Sequence, residues 1–411
     1  MKVLFLSQIV PYPPHGGVLQ RGYNLLREIS KFATVYLAAF VHRDLLRTEE
    51  QVAESRRALG EFCARVDFFN LWAKQSSLHK YAALTASLGS SMPYSIIAHR
   101  SEAFQRHVSR IVASGDIDVI HVDTLGLVPF VDKLREVPCV LTHHNIESML
   151  MGRRAEVETR TLAKWFLERE AEKLRSYERA VSRRFDANIL VSGTDEQALC
   201  SAVPEVITSV VSNGVDTDYF TPQGEQDSLT LIYTGGLNMF ANLDAVLFFL
   251  REIWPLVSAE EPSVRFMVIG QDPPHELREM GKRDPRIEVM GYVADVRPFV
   301  TQAAVYVVPL RVGGGTRLKV LDAMAMGKAI VSTSVGCEGI HASPGEHLLV
   351  VDNPAHFART VIDLLRNRTR RVLLGQAARR LVETCYAWPI IGRALQNTYK
   401  AAIESRSVHL R

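Results

Sequence analysis

No apolar run in this chain of 411 residues is long enough to span a bilayer, so no membrane-spanning helix is expected. Cysteine is scarce. The five (Cys63, Cys139, Cys200, Cys337, Cys385) are scattered, odd in number and without metal-ligand spacing. That excludes a disulfide framework and reads as buried thiols in a reducing, cytoplasmic compartment. A His/Cys cluster is also missing, so no metal site is expected. Charge of one sign is lacking too, with 48 basic against 45 acidic residues. Divided at residue 222, the first part has 26 of each and the rest 22 and 19, so neither half is the basic body of a nucleic-acid binder. No internal repeat or low-complexity tract stands out. The opening Met1–Val10 is apolar but lacks a small-residue cleavage site after it, and is read as a first buried strand rather than a leader.

What is present is alternation. Strand-like runs at 2–9, 34–40, 117–122, 138–143 and 187–192 are interleaved with helix-like segments at 18–30 and 160–185. Leu162, Trp165, Phe166, Leu174, Tyr177 and Val181 lie at helical spacing in the latter. After a turn-rich stretch at 211–222 (Asn213-Gly214, Pro222) the pattern restarts: strands at 229–234, 264–269, 286–290 and 304–308, helices at 242–257, 274–282 and 295–302. The length favours two domains. The alternation predicts parallel sheets flanked by helices, with ligands at the carboxyl ends of the strands.

The densest chemistry lies at 309–333. An apolar run ends at Pro309, Gly313-Gly314-Gly315 follow, and a helix predicted to start near Thr316 ends at Gly327, before a new strand near Ala329. Glycines let the backbone approach a ligand closely, and a helix start aims free N–H groups at an anion. Lys319 and Asp322 are three apart and share a helix face, adding a cation and a carboxylate able to hold a ribose hydroxyl. A packing loop with a surface Lys–Asp pair is the competing reading. Three further places invite chemistry. His15-Gly16-Gly17 precedes the first helix, and His143-His144-Asn145 with Glu147 ends a strand. Residues 68–110 carry Lys74, Lys80, Arg100, Arg106 and Arg110 against one acid, Glu102, among aromatics. Such a stretch can rest on an anionic membrane or form a solvated basic face over a core.

Gly-Gly-Gly-Thr-Arg-Leu-Lys at 313–319, followed by Leu-Asp-Ala-Met-Ala-Met-Gly, resembles the C-terminal signature of family 4 retaining glycosyltransferases, in the branch that carries this glycine run. Asn-Gly-Val-Asp at 213–216 with Phe220 and Pro222 is similar to that family's interdomain linker. The resemblance implies the GT-B fold: α/β, two doubly wound Rossmann-like domains facing a central cleft. It divides the chain into an acceptor-side domain at 1–210, a linker at 211–222, a nucleotide-sugar domain at 223–387 and a returning C-terminal helix at 388–411. Trp388 in that last piece reads equally as plain core.

The resemblance also implies roles. His144 contacts the donor sugar, and Asp322 stands at the second family glutamate, while Gly314 replaces the first. Gly17 offers a backbone contact near the phosphate. Gly236 and Asn238 belong to a loop in which most members have an arginine and, shortly after, a lysine; this chain has Leu237 and Asn238, then Ala241-Asn242. Tyr292 and Val293 match the base-binding loop. Gly314, Gly315, Thr316, Arg317 and Lys319 form the phosphate cradle, Arg317 and Lys319 supplying the missing charge. The expected reaction is metal-independent sugar transfer from a nucleoside diphosphate, used as substrate with no cofactor, to a saccharide or lipid-linked acceptor. An epimerase or phosphorylase on the same fold, or a non-catalytic sugar-nucleotide-binding subunit, stays open beside it.

Overall fold

The computed structural model describes residues 1–14, 16–74, 76–134, 136–224 and 228–409. The chain divides into two compact units, Met1–Ser212 with Ile391–Arg411, and Asn213–Ile390. Each is a parallel sheet wrapped by helices.

In unit 1 the elements run β1 (Lys2–Ser7), α1 (Gly17–Ile29), β2 (Thr34–Val41), α2 (Glu49–Gly60), β3 (Arg65–Asn70), α3 (Ser77–Leu88), α4 (Tyr94–Ala98) and α5 (Glu102–Ala113). They continue through β4 (Val119–Val122), β5 (Cys139–His143), α6 (Glu147–Val157), α7 (Thr161–Ser182), β6 (Ala187–Leu190), α8 (Gly193–Ala202) and β7 (Thr208–Val210). All seven strands are parallel, in the order β3-β2-β1-β4-β5-β6-β7. Central strands such as Val-Leu-Phe-Leu at 3–6 and Val-Ile-His-Val at 119–122 are buried throughout, as both faces are covered by helices. Helix starts are set locally: Thr48 and Gln51 form a reciprocal capping box on α2, and Ser101 and Ser192 cap α5 and α8.

Unit 2 comprises β8 (Thr230–Thr234), α9 (Phe240–Phe248), a π turn at Phe249–Ile253 running into α10 (Trp254–Glu260), β9 (Arg265–Ile269) and α11 (His275–Arg283). Then come β10 (Ile287–Gly291), α12 (Arg297–Gln302), β11 (Val305–Val308), α13 (Leu318–Ala325), β12 (Ala329–Ser332), β13 (Leu349–Val350), α14 (Pro354–Arg366) and α15 (Arg368–Cys385). The sheet order is β10-β9-β8-β11-β12-β13, again parallel. The last helix, α16 (Trp388–His409), begins in unit 2 and continues from Ile391 in unit 1.

Several sequence expectations shift. The segment 211–222 is mostly part of unit 2: Val215 N–H donates to the Tyr386 carbonyl at 2.8 Å, and Arg379 donates to the carbonyls of Thr217, Phe220 and Ala325. Gly214 lies under Trp388, whose indole would stand 2.6 Å from any Cβ there, and Trp388 is core of this unit. Leu162 and Trp165, read as part of an apolar helix face, are 83% and 50% exposed. The helical period was right but its seam is Leu167, Ala171, Leu174 and Val181. The helix expected from Thr316 starts at Leu318, because Arg317 is held outside it in extended conformation. Among the described residues no helix is long and apolar enough to cross a membrane.

Candidate active site

A doubly wound sheet opens a crevice where its strand order reverses, since the loops leaving the two middle strands depart to opposite faces. In unit 2 that point lies between β8 and β11. The loop after β8 carries Gly235, Gly236 and Asn238, and the loop after β11 carries Gly313 to Arg317. Sequence placed these segments 80 residues apart; the topology sets them side by side.

Lys319 joins them. Its Nζ donates to the Tyr233 hydroxyl at 2.8 Å and to Asn242 Oδ1 at 2.6 Å, and lies 4.2 Å from the centre of the Tyr233 ring. Tyr233 also donates to Asn242 Oδ1, and Asn242 Nδ2 donates to the Gly236 carbonyl. Gly235 has φ +152°, and a Cβ on it would stand 2.5 Å from Lys319 Nζ, so only glycine permits this approach. Burial, with the Arg317 charge adding to it, pulls the Lys319 ammonium down to about 7. Lys319, which comes from α13, thus sits beside Asn242 across the switch point.

Arg317 turns back on its own loop, donating to the Gly314 and Gly315 carbonyls and, at 3.4 Å, to that of Val335. Gly315 sits at φ +67°. Thr316 is buried; its carbonyl accepts from Asn213 Nδ2 at 2.8 Å and its hydroxyl reaches the Gly339 carbonyl at 3.4 Å. Asp322, one turn beyond Lys319, is partly buried, and its charge contributes to raising the Tyr306 phenol, although burial is the larger cause. Leu237 points into the core, whereas Asn238 is exposed. Tyr292 is 59% exposed beyond the end of β10, and Val293 rests against the core. Two strand spacings, roughly 10 Å, separate β10 from β8. That suits a base and a phosphate held at different strand ends.

In unit 1 the switch point lies between β1 and β4. There the ends of three strands meet: His144 Nε2 is 3.1 Å from Asp123 Oδ1, and Ser7 Oγ donates to Asp123 Oδ2 at 3.4 Å. Asp123 is only 1% exposed. Below them His121, stacked on Phe5, contacts the Tyr399 hydroxyl at 2.6 Å through Nδ1 and the Thr142 hydroxyl at 2.8 Å through Nε2. Burial drives its imidazole down to about 3, so it is neutral and structural. Buried Arg21 of α1 donates to the Val211 and Ser212 carbonyls, both at 2.8 Å. Gly17 opens α1 behind Gly16, which has φ +99°; His15 lies outside the described residues.

His143, a secondary candidate, is corrected by the geometry. As the last residue of β5 it faces away from His144 to Asn188 Oδ1 at 3.0 Å, and burial lowers it to about 4. The Glu147 carboxyl is raised by burial, an effect partly offset by neighbouring His144. Asp123 and Tyr233, which contact the candidate residues His144 and Lys319, were passed over by sequence reasoning. Asp123 had a signal, two places after His121 at a strand's carboxyl end. Asn242 was noted only as standing where a lysine is expected, and Tyr233 had no signal, since a tyrosine acquires meaning there only with Lys319 beside it. Among the described residues no three His, Cys, Asp or Glu side chains gather as a metal-binding set.

Two family models match: "Glycosyltransferase Family 4" over residues 48–219 and "Glycosyl transferases group 1" over residues 228–367. Among curated relatives, an uncharacterized 44.6 kDa protein in the cps region of Klebsiella pneumoniae is 26% identical over 33% of this chain and 37% of its own length. The phosphatidyl-myo-inositol mannosyltransferase of Mycolicibacterium smegmatis is 24% identical over 72% of this chain and 75% of its own. The match thus spans about a third of the first and three quarters of the second. Among solved structures, TarM superposes with a TM-score of 0.71 at 11% identity, covering 97% of this chain and 99% of that one. HepE of Anabaena in complex with UDP-glucose gives 0.67 at 15% identity, covering 98% and 100%. These two likenesses establish the fold, two parallel-sheet Rossmann-like domains of the GT-B type. The two family models, each over its own part of the chain, indicate a GT4-like glycosyltransferase.

Proposed function

We propose that the protein is a retaining glycosyltransferase that moves a sugar from a nucleoside diphosphate to an acceptor hydroxyl in polysaccharide or glycolipid assembly. The observation that carries this reading is the Lys319 ammonium, buried at the switch point of unit 2 between two glycine loops. A cation set between two glycine loops beside the start of a helix suits a diphosphate, whose charge grows as the sugar departs. The HepE complex with UDP-glucose and the mannosyltransferase relative support a sugar-nucleotide donor.

In this mechanism Lys319 and the N–H groups of Gly314 to Arg317 hold the diphosphate, Arg317 bracing the loop that presents them. Asp322 accepts from the ribose, and main chain at Tyr292 and Val293 reads the base. Gly236 and Asn238 border the phosphates from the β8 side, and Gly17 offers its N–H from α1. His144 hydrogen-bonds the transferred sugar. The bond from the anomeric carbon to the phosphate oxygen breaks while the acceptor oxygen bonds the same face. The acceptor proton passes to the leaving phosphate, so no side-chain nucleophile and no metal ion is required. The work is done in the cytoplasm, where sugar nucleotides are made.

Thermal-shift and calorimetric screening of UDP-, GDP- and ADP-sugars tests the donor, and product analysis tests the stereochemistry. One of these donors should stabilise the protein and be turned over with retained configuration, at a rate unaffected by excess EDTA. Inverted product, or a rate abolished by EDTA and restored by magnesium, would overturn the mechanism. Tight donor binding without turnover on any acceptor would instead favour a non-catalytic binding subunit, a reading motivated by Gly314 standing where most members have glutamate.

A further inference from the structure

α3 is built the wrong way round for a helix that covers a core. Its buried positions are Ala83 and Ser87, while Leu78, Tyr81 and Leu88 are 77%, 65% and 40% exposed. Leu78, Tyr81, Thr85 and Leu88 follow at intervals of three, four and three, which is one helical stripe. The helix is nevertheless firmly placed, by polar contacts on its opposite side. Ser87 Oγ donates to Glu170 Oε1 at 2.7 Å, and Lys173 Nζ of α7 donates to the Ser87 carbonyl at 2.7 Å and pairs with Glu170 at 2.8 Å. Glu170 also accepts the Tyr94 N–H at 2.7 Å. This buried cluster fixes α3 on α7 and leaves the apolar stripe turned outward.

α7 continues the same surface. Arg169 donates to the Leu88 carbonyl at 3.4 Å and lies 5.7 Å from the Trp165 ring, so the end of α3 and the start of α7 are neighbours. Trp165 and Leu162 are the most exposed large apolar side chains of that helix. Five exposed large apolar residues on two adjoining helices are too many for an ordinary solvated face. No Asp or Glu occurs from Phe68 to Ser101, where Lys80 and Arg100 are exposed and exposed Lys74 is paired with Asp44 at 2.8 Å. On α7, exposed Lys164 and Arg169 flank Trp165, with one exposed acid, Glu168, between them.

We propose that this face, Leu78, Tyr81 and Leu88 of α3 with Leu162 and Trp165 of α7, docks the protein onto an anionic lipid surface. An apolar stripe flanked by lysine and arginine lies in the interface plane, its side chains entering the acyl boundary and its cations meeting headgroup phosphates. Tryptophan and tyrosine suit that boundary because each is apolar in body and polar at one edge. A protein partner would bring its own acids to such a face; a lipid surface needs only negative charge and an apolar layer beneath it. The inference does not rest on the donor site.

The test is flotation of the full chain with vesicles of phosphatidylcholine containing phosphatidylglycerol, against phosphatidylcholine alone. Binding should require the anionic lipid and weaken with salt. Leu78→Glu with Tyr81→Glu should lower the bound fraction about ten-fold or more, and Trp165→Ser by a few-fold. All of these side chains are exposed, so melting temperatures should stay near wild type, and donor-induced thermal shifts should be unchanged. Wild-type tryptophan emission should move to the blue on binding, and Trp165→Phe should remove most of that shift. Absence of flotation at low salt would overturn the proposal, as would flotation indifferent to the α3 double variant. So would a dimer in lipid-free solution that the same variant dissolves, which would assign the face to a second copy of this chain.

Discussion

The two sheets share one strand order, the first with a seventh strand added, and carry opposite kinds of equipment at their switch points. In unit 2 the crevice is lined by backbone, Gly235, Gly236 and Gly313 to Gly315, with half-buried Lys319 beside Arg317. In unit 1 it is lined by side chains already bonded to one another, His144 and Ser7 each to Asp123, above His121, Thr142 and Tyr399. Backbone N–H groups and a point charge suit an anion of fixed shape, the part of a donor common to every nucleotide sugar. A rigid set of polar side chains suits one particular sugar and a proton to be placed. The difference suggests that unit 2 governs donor affinity and unit 1 governs turnover. That division can be broken by experiment.

The largest effect is expected at His144. If it touches the sugar in the transition state, His144→Ala should reduce turnover by about ten- to a thousand-fold, with little change in nucleotide affinity. Asp123→Asn should give a smaller loss, of about ten-fold, because Asp123 acts only by orienting the ring. A steady-state comparison of kcat with calorimetric Kd checks both. A His144 variant that binds donor poorly but turns over normally would reverse the assignment of the two units.

Next comes Lys319. Losing a charged hydrogen bond to phosphate costs on the order of 1.5–3 kcal/mol, so Lys319→Ala should weaken donor binding by about ten- to a hundred-fold. Gly235→Ala should have a comparable effect by a different route. Its Cβ would collide with the ammonium, and its φ of +152° strains any other residue. Calorimetry on both variants checks this; unchanged affinity would remove the switch-point lysine from the site. Asp322→Asn should weaken donor use by a few-fold, and Asp322→Glu, the commoner residue at that position, should largely retain it. Full activity in the Asn variant with the fold intact would end the ribose assignment.

The sheets were legible in the sequence because fully buried parallel strands leave uninterrupted apolar runs, as at 3–6, 231–233 and 305–308. β3 was missed since it is a half-buried edge strand with mixed residues, and β7 and β13 are too short to make a pattern. The glycine loop was legible from its composition. Its partner was not: nothing in one dimension says that Lys319 meets Tyr233 and Asn242, 86 and 77 positions away. His143 and His144 are indistinguishable as letters, and strand alternation alone turned one to Asn188 and the other to Asp123. α3 misleads by pattern, since an apolar stripe at helical spacing normally marks the inner face, and here it marks the outer one.

The smallest expected effect is a pH dependence, and its sign separates the two crevices. Lys319 is lowered from 10.5 to about 7 by burial and by Arg317, so between these values the unfolded chain holds a proton that the free native protein lacks. Stability of the ligand-free protein should therefore rise with pH from about 7 towards 10.5, as far as this group is concerned. The donor's diphosphate favours the ammonium, so its affinity should move the other way and decline by a few-fold as pH climbs from about 7 to 8.5. Binding in that range should also take up protons. Calorimetry at pH 8 in two buffers of different ionisation enthalpy reads that uptake directly, and Lys319→Arg, which stays charged, should abolish it. Uptake that survives in the arginine variant but vanishes in His144→Ala would move the titrating group to unit 1, and with it part of the control over donor affinity.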